Sequence, residues 1–155
     1  MKCHCRNSVC GKGPVTQYII AGTSVFLAYG VVPINGTDSI RFPYIYYNVG
    51  NDYDPSTGVY TCPITGTYWI SASLGKLPRA QEHVDCKISV NHHVNIAMLL
   101  RLYTNNTQSA YTVSISGGFY LRKGDRVQVG FCRDKENIAN AANTYFSGVL
   151  LRPDA

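Results

Sequence analysis

Strict alternation of apolar and polar side chains over short segments is the feature that most limits the fold of this chain. Within residues 67–74, the side chains of Tyr68, Ile70, Ala72 and Leu74 fall on one face, because successive residues of a strand point to opposite sides. The same period recurs over residues 86–90, 111–115 and 127–131. No window has a sustained helical stripe, so the pattern predicts β-strands and excludes a helix bundle.

Turn residues separate these segments at short intervals. Examples are Asn35-Gly36, Thr57-Gly58, Gly117-Gly118 and Gly124. The 14 Gly, 7 Pro and 12 Tyr among 155 residues favour strands and turns. A chain of this length predicts one domain, and many short strands are typical of a sandwich or barrel. We interpret residues 1–14 as a cysteine-containing tail and residues 15–155 as the all-β domain.

The charge content excludes several classes of protein. Only 15% of the residues are charged, compared with about 25% in average soluble domains, which suggests that part of the surface is buried against other chains. The net charge of +5 is scattered, with no basic run longer than Arg122-Lys123, so a nucleic-acid partner is not predicted. No apolar stretch reaches the roughly 18 residues of a membrane span. The N-terminus lacks the apolar core of a signal peptide, so a secreted protein would be seen here in its mature form.

Motifs of the common enzyme classes are missing from the sequence. There is no Gly-x-Ser-x-Gly, no phosphate-binding glycine loop and no helical His-Glu pair. The sequence therefore predicts a protein that is not an enzyme.

Residues 42–72 hold a spaced set of aromatic and small residues. The set is Phe42, Asn48, Tyr53, Tyr60, Gly66, Tyr68, Ile70 and Ala72. This spacing resembles the signature of the globular head domain of complement C1q. Tyr60 keeps the aromatic ring of its position, whereas Ile70 and Ala72 replace aromatic residues, which implies a core repacked with smaller side chains. Further matching motifs follow in order, so the resemblance extends from about Ser24 to Asp154.

The resemblance implies a ten-stranded jelly roll, shared with tumour necrosis factor ligands, that assembles into trimers. Relatives of this kind are secreted recognition proteins without enzymatic activity. Tyrosine-rich surfaces suit burial in an oligomer, because Tyr offers apolar area with a hydrogen-bonding tip. The aromatic residues expected in the core or at subunit faces are Phe42, Tyr53, Tyr60, Tyr68, Tyr120, Tyr145 and Phe146.

Six cysteines in a chain without a membrane span suit an oxidising compartment. The disulfide candidates are Cys3, Cys5, Cys10, Cys62, Cys86 and Cys132. Cys62 and Cys86 match cysteine positions of some complement chains, but those chains have a further cysteine in the region of Met98, and this chain does not. Cys132 is therefore an alternative partner, and at least one of the three domain cysteines stays free or bonds outside the domain. The tail cysteines are interpreted as interchain disulfides or as free thiols, and their spacing lacks the pairs of a zinc knuckle.

Metal sites are not expected from the ligand types present. Several relatives bind calcium through clustered Asp carboxylates in a loop that corresponds to residues 104–108. Here that segment offers amides and hydroxyls without a carboxylate, and calcium requires charged oxygen ligands. His92 and His93 would point to opposite faces of a strand, so we favour a polar hairpin tip over a metal site. No cofactor is predicted.

The main functional hypothesis is a secreted homotrimer that binds carbohydrate or anionic ligands as a lectin-like, pattern-recognition protein of innate immunity. The alternative is a structural or signalling ligand of the extracellular matrix or of a protein receptor, in which tail cysteines would link trimers by disulfides. Exposed basic and aromatic loop residues are the candidate ligand contacts: Lys76, Arg79, Arg101, Tyr103, Arg133 and Lys135. Asn35 and Asn105 begin Asn-x-Thr acceptors for glycosylation of a secreted chain.

Overall fold

Two five-stranded antiparallel sheets enclose one hydrophobic core in the computed structural model, which describes residues 23–77, 84–93, 100–104 and 111–154. For residues 84, 100–104 and 111 it describes the backbone alone. The all-β jelly-roll prediction, with ten strands in two sheets, is confirmed.

The strand bounds follow the turn residues of the sequence. In chain order the strands are β1 (Val25–Tyr29), β2 (Val32–Pro33), β3 (Ile40–Arg41), β4 (Tyr44–Val49), β5 (Tyr53–Asp54), β6 (Val59–Thr61), β7 (Gly66–Lys76), β8 (Val84–Val90), β9 (Leu100–Thr104), β10 (Tyr111–Leu121), β11 (Arg126–Arg133) and β12 (Tyr145–Pro153). The first sheet has the strand order β10-β7-β12-β1-β4, and the second has the order β5-β6-β11-β8-β9. Strands β2 and β3 form a separate two-stranded ribbon. The described residues contain no α-helix, and a single 3₁₀ turn spans Lys135–Asn137.

Aromatic rings fill the space between the two sheets. Phe26 stacks on Tyr53 and Tyr60, with ring centroids 5.0 and 4.8 Å away, and meets Phe146 edge-on at 5.0 Å. Tyr68 lies beside Tyr60 at 6.1 Å. Such offset and edge-on pairs add to the free energy gained by burying apolar area. The buried face predicted for residues 67–74 is confirmed, and Trp69 on the other face is exposed. Toward the end of the strand the alternation is lost, because Ser73 is also buried.

A bulge interrupts the alternation of β11. The sequence predicts Val127, Val129 and Phe131 on one face, and the first two are buried as expected. The pairing of β11 with β8 shifts between Gly130 and Arg133, and Phe131 adopts a φ of 51°. This bulge turns Cys132 into the core and leaves Phe131 partly exposed, so the expectation for Phe131 is wrong.

Candidate functional site

A polar cleft of about 810 Å³ lies where the β2–β3 loop approaches the outer face of the second sheet. Its polar lining includes Asp38, Ser39, Thr57, His92, Arg126 and Gln128. The volume is within the range of about 300–1,000 Å³ that is usual for small-molecule sites. We refer to it below as the polar cleft.

Strand β11 supplies the floor of the polar cleft. Because Val127 and Val129 face the core, the intervening Arg126 and Gln128 face outward. The start of the strand is fixed by Asn91: its side-chain oxygen accepts the Arg126 N–H at 2.9 Å, and its own N–H donates to the Arg126 carbonyl at 2.7 Å. The position of Arg126 at one end of the cleft is therefore set by the backbone.

A directed chain of hydrogen bonds crosses the polar cleft. The Ser39 hydroxyl donates to Asp38 at 3.3 Å, so its oxygen is available to accept from the Gln128 amide nitrogen at 3.2 Å. The same amide nitrogen lies 2.9 Å from Nδ1 of His92. Since the amide nitrogen is a donor only, Nδ1 of His92 is the acceptor of this bond and Nε2 is the ring nitrogen left to contact a ligand. The Asp38 carboxylate thus begins a chain of hydrogen bonds that runs through Ser39 and Gln128 to His92.

The imidazole ring of His92 is held by a second contact. It stacks on Phe131, with ring centroids 4.5 Å apart and an interplanar angle of 18°. Asn91 and His92 both have φ near 53–54°, a left-handed conformation that Asn and His adopt more readily than most residues. The expected polar turn after β8 is present, and its role is to place His92 against the polar cleft.

Lys135, expected to contact ligand, instead anchors the wall of the polar cleft. Its ammonium donates to the carbonyl of Ile34 at 2.6 Å and also to the carbonyl of Thr37. The Cys132 N–H donates to the Asp38 carbonyl at 2.8 Å, which ties the same loop to β11. These bonds satisfy loop carbonyls, so Lys135 is a positioning residue for the β2–β3 loop.

The other expected ligand contacts do not come together. Lys76 is 1% exposed at the end of β7, where its ammonium donates to the Leu77 carbonyl at 2.9 Å. Its assignment to an exposed loop is wrong, because β7 continues through Lys76 and pairs there with β10 and Ile138. Arg133 is exposed at the end of β11 and lines a separate hollow.

The remaining expected ligand and glycosylation residues lie in other parts of the chain. Arg101 and Tyr103 lie in strand β9 rather than in a loop, and their side chains are not described. Arg79 and Asn105 lie outside the described residues. Asn35 is exposed in the β2–β3 loop beside the polar cleft.

The opposite side of the sandwich carries an exposed apolar surface. Every large hydrophobic side chain found exposed in the described residues belongs to the first sheet: Tyr44, Ile45, Tyr46, Tyr47, Val49, Trp69, Tyr120 and Leu151. Tyr29 joins Tyr46 and Tyr44, with ring centroids 4.5 and 5.3 Å away. We refer to this set as the apolar surface of the first sheet. Exposed large apolar side chains that concentrate on one sheet are typical of a surface that binds another protein.

The expected aromatic residues are divided between core and surface. Phe42, Tyr53, Tyr60, Tyr68 and Phe146 are at most 2% exposed and belong to the core of the single chain. Tyr120 is 61% exposed on β10, and Tyr145 is partly buried on β12. The aromatic residues of the C1q-like spacing therefore stabilise the fold of the single chain. Other tyrosines, such as Tyr44, Tyr46 and Tyr47, are exposed.

Cys86 and Cys132 form a disulfide between β8 and β11. Cys62 is a free, buried thiol whose sulfur donates to the Ile64 carbonyl, and burial raises its pKa. Its candidacy as a disulfide partner is wrong, because the β11 bulge brings Cys132 to Cys86. The tail cysteines Cys3, Cys5 and Cys10 lie outside the described residues.

The described residues offer neither a metal cluster nor a membrane helix. They contain no group of three or more His, Cys, Asp or Glu side chains that could hold a metal ion. They also contain no helix of the length and apolarity needed to cross a bilayer. The loop compared with calcium-binding relatives falls mostly outside them, at residues 105–108.

Comparison with known proteins agrees with this architecture. The C1q domain model matches residues 24–151. A chain of the human complement C1q subcomponent is 26% identical over 127 residues, which cover 79% of this chain and 47% of that protein. The chain therefore spans about half the length of this curated relative.

Solved structures also resemble the fold. The globular domain of zebrafish complement 1qA superposes with a TM-score of 0.63 at 15% identity, covering 86% of this chain and 100% of that one. Eiger TNF from S. frugiperda gives a TM-score of 0.63 at 14% identity, covering 86% and 95%.

The two-sheet jelly roll and the match over residues 24–151 define the class: the chain belongs to the C1q domain family. This family includes recognition proteins and signalling ligands. C1q and tumour-necrosis-factor-like domains are non-enzymatic ligand proteins that form trimers, and C1q homologues are secreted.

The residues of the polar cleft were not predicted as ligand contacts. Alternation along β11 would have placed Arg126 and Gln128 on an outward face. Asp38 and Ser39 have no such signal, because they reach Gln128 only through the tertiary fold, across 89 residues of sequence.

Proposed function

We propose that this chain is a secreted, non-enzymatic recognition protein that acts as a homotrimer and binds carbohydrate or anionic ligands multivalently. The observation that carries the proposal is the division of the surface. Exposed large apolar side chains of the described residues lie on the first sheet, whereas the polar cleft lies on the second. One sheet is suited to self-association and the other to a water-soluble ligand.

The homotrimer is supported by the apolar surface of the first sheet. Trp69 is 45% exposed and Tyr46 is 62% exposed, and aromatic residues are enriched where protein surfaces associate. The low charge content of the chain also favours burial of part of its surface. Trimers are the assembly that members of this family form.

Multivalent binding follows from combining the trimer with an open cleft. A cleft that is open and polar binds weakly by itself, because water competes for each hydrogen bond. Three linked copies raise the local concentration of binding sites, which increases the strength of attachment to a repetitive surface by orders of magnitude. Secretion is supported by the Cys86–Cys132 disulfide, since such bonds persist in oxidising compartments.

A glycan array, with lipopolysaccharide surfaces included, tests the proposal. We expect the wild-type protein to bind a subset of glycans and to dissociate more slowly as glycan density rises. Trp69→Glu places a charge in the apolar surface of the first sheet. We therefore expect this variant to have a lower mass in solution and a dissociation rate that no longer depends on glycan density. A blank array with a demonstrated trimer would reject the proposal. Capture of a single membrane protein, without competition by sugars, would instead support the signalling alternative.

A further inference from the structure

We propose that the polar cleft binds the carboxylate-bearing sugar units of an acidic polysaccharide, with the carboxylate at Arg126 and His92 and sugar hydroxyls at Asp38. This inference rests on the proposed recognition function and specifies its ligand and its site. It is argued from the charges at the two ends of the cleft and from the direction of the hydrogen bonds between them.

The cationic end of the polar cleft has unused donors. Within the described part of the chain, the guanidinium of Arg126 has no hydrogen bond or ion pair. The neighbouring Asp125 does not neutralise it by contact, because its two oxygens accept from the Asn91 amide at 2.9 Å and from the Arg122 N–H at 2.8 Å. A guanidinium pairs with a carboxylate through two parallel hydrogen bonds. Nε2 of His92 can donate a further hydrogen bond on this side.

The opposite end of the polar cleft is an acceptor. Asp38 lies toward Cys132, at the far end of β11 from Arg126, since the Cys132 N–H donates to its carbonyl. Its carboxylate receives the Ser39 hydroxyl through Oδ1, which leaves Oδ2 available for a ligand hydroxyl. Gln128 lies between the two ends and keeps its carbonyl oxygen available as well, because its nitrogen makes both bonds.

These groups discriminate between classes of ligand. A small inorganic anion would pair with Arg126 but would have no hydroxyl group to donate to Asp38. A neutral sugar would bond to Asp38 but would leave Arg126 without a partner. A lipid tail would need an apolar lining, whereas the cleft is lined mainly by polar groups. A sugar that carries both a carboxylate and hydroxyls satisfies both ends, and about 810 Å³ accommodates more than one sugar unit.

The test uses immobilised polygalacturonate and its methyl ester, which keeps the same sugar and hydroxyls but removes the charge. We expect the wild-type protein to bind polygalacturonate. Its affinity for the ester should be lower by a factor of about ten or more, as expected for the loss of a hydrogen bond to a charged group. Arg126→Gln should lose a similar factor. Arg122→Gln is the matched control, because Arg122 is exposed outside the polar cleft. Asp38→Asn should weaken binding without removing the preference for the acid form.

The outcomes separate this inference from the proposed function. Equal losses for Arg126→Gln and Arg122→Gln, or equal binding of acid and ester, would overturn the assignment of the cleft. If the trimer still bound glycans, the proposed recognition function would remain supported, with its binding site elsewhere. Absence of binding to every polysaccharide, including dextran sulfate, would overturn both. Thermal unfolding of each variant, expected to match the wild type, ensures that a loss reflects contact rather than misfolding.

Discussion

The side-chain amide of Asn48 binds both backbone groups of Tyr53. Its nitrogen donates to the Tyr53 carbonyl at 2.7 Å, and its oxygen accepts the Tyr53 N–H at 3.2 Å. The Tyr53 hydroxyl in turn accepts the Phe42 N–H at 3.0 Å and donates to the Phe42 carbonyl at 3.2 Å. The spacing of residues 42, 48 and 53 in the sequence is therefore the spacing of three residues that satisfy one another's polar groups beside the core.

Asn48→Ala should lower the free energy of unfolding by about 1–3 kcal/mol, because a partly buried donor and acceptor of Tyr53 lose their partner. Urea denaturation followed by fluorescence measures the change. Asn35→Ala is the control, since Asn35 lies exposed in the β2–β3 loop and should unfold as the wild type does. Equal stability of the two variants would mean that the Asn48 bonds contribute nothing net.

Gly148 should not tolerate a methyl group. A Cβ at this position would lie 2.7 Å from Cε1 of Phe26 and 2.8 Å from Cδ1 of Ile70. Gly148→Ala should therefore destabilise the protein by about 1–3 kcal/mol through overpacking. Gly118 is also a strand glycine of the first sheet, but a Cβ there meets nothing within 4 Å. The midpoint of thermal unfolding should be lower for Gly148→Ala than for the wild type and unchanged for Gly118→Ala. A midpoint that is lower for Gly118→Ala than for Gly148→Ala would show that the core can rearrange.

The Cys86–Cys132 disulfide closes a loop with a sequence separation of 46. Removing it in a Cys86→Ala/Cys132→Ala double variant should lower the free energy of unfolding by about 2–4 kcal/mol, since the unfolded chain regains loop entropy. Urea midpoints with and without reductant measure the effect. Reductant should destabilise the wild type but leave the double variant unchanged. A wild-type midpoint that is insensitive to complete reduction would refute this prediction.

Alkaline pH should destabilise the fold through Tyr60. Burial raises its pKa to about 12 from a reference of 10.0, and Asp52 adds to the increase while the Ser24 hydrogen bond opposes it. The folded state therefore keeps a proton that the unfolded chain releases, so stability is intact below pH 10 and falls as the pH rises from 10 toward 12.

Tyr60→Phe removes that proton and tests this pH dependence. Urea midpoints between about pH 8 and 11 should decline less steeply for the variant than for the wild type. The remaining decline is expected to come from Tyr53 and Tyr68, whose pKa values are also raised by burial. Identical slopes for variant and wild type would contradict the role of Tyr60.

Local pattern was sufficient to predict an all-β sandwich or barrel, because the strands obey it over long stretches, whereas the jelly roll was implied by the resemblance to the C1q head domain. Alternation from Tyr68 to Leu74 defines the buried face of β7, and the spaced aromatic residues mark the core. It failed at Phe131, where a bulge adds a residue to one strand and reverses the faces that follow. A bulge depends on the partner strand, which sequence alone does not reveal.

Function was harder to predict because charge does not indicate which partner a side chain meets. Lys76 and Lys135 are both basic and were both expected to contact ligand. The first is buried, and the second has its ammonium bound to loop carbonyls. Arg126 and His92 attracted no such expectation, and only the folded chain brings them beside Asp38 in one cleft.

The most direct test of the account is the mass of the protein in solution, measured by light scattering at micromolar concentration. We expect three times the 17.1 kDa of the chain, because the apolar surface of the first sheet is proposed to be covered by copies of the same chain. Trp69→Glu should lower the mass toward that of one chain. Thr61→Glu, which adds the same charge at an exposed position of the second sheet, should leave it unchanged. A wild-type mass of a single chain that persists as the concentration rises would contradict the account.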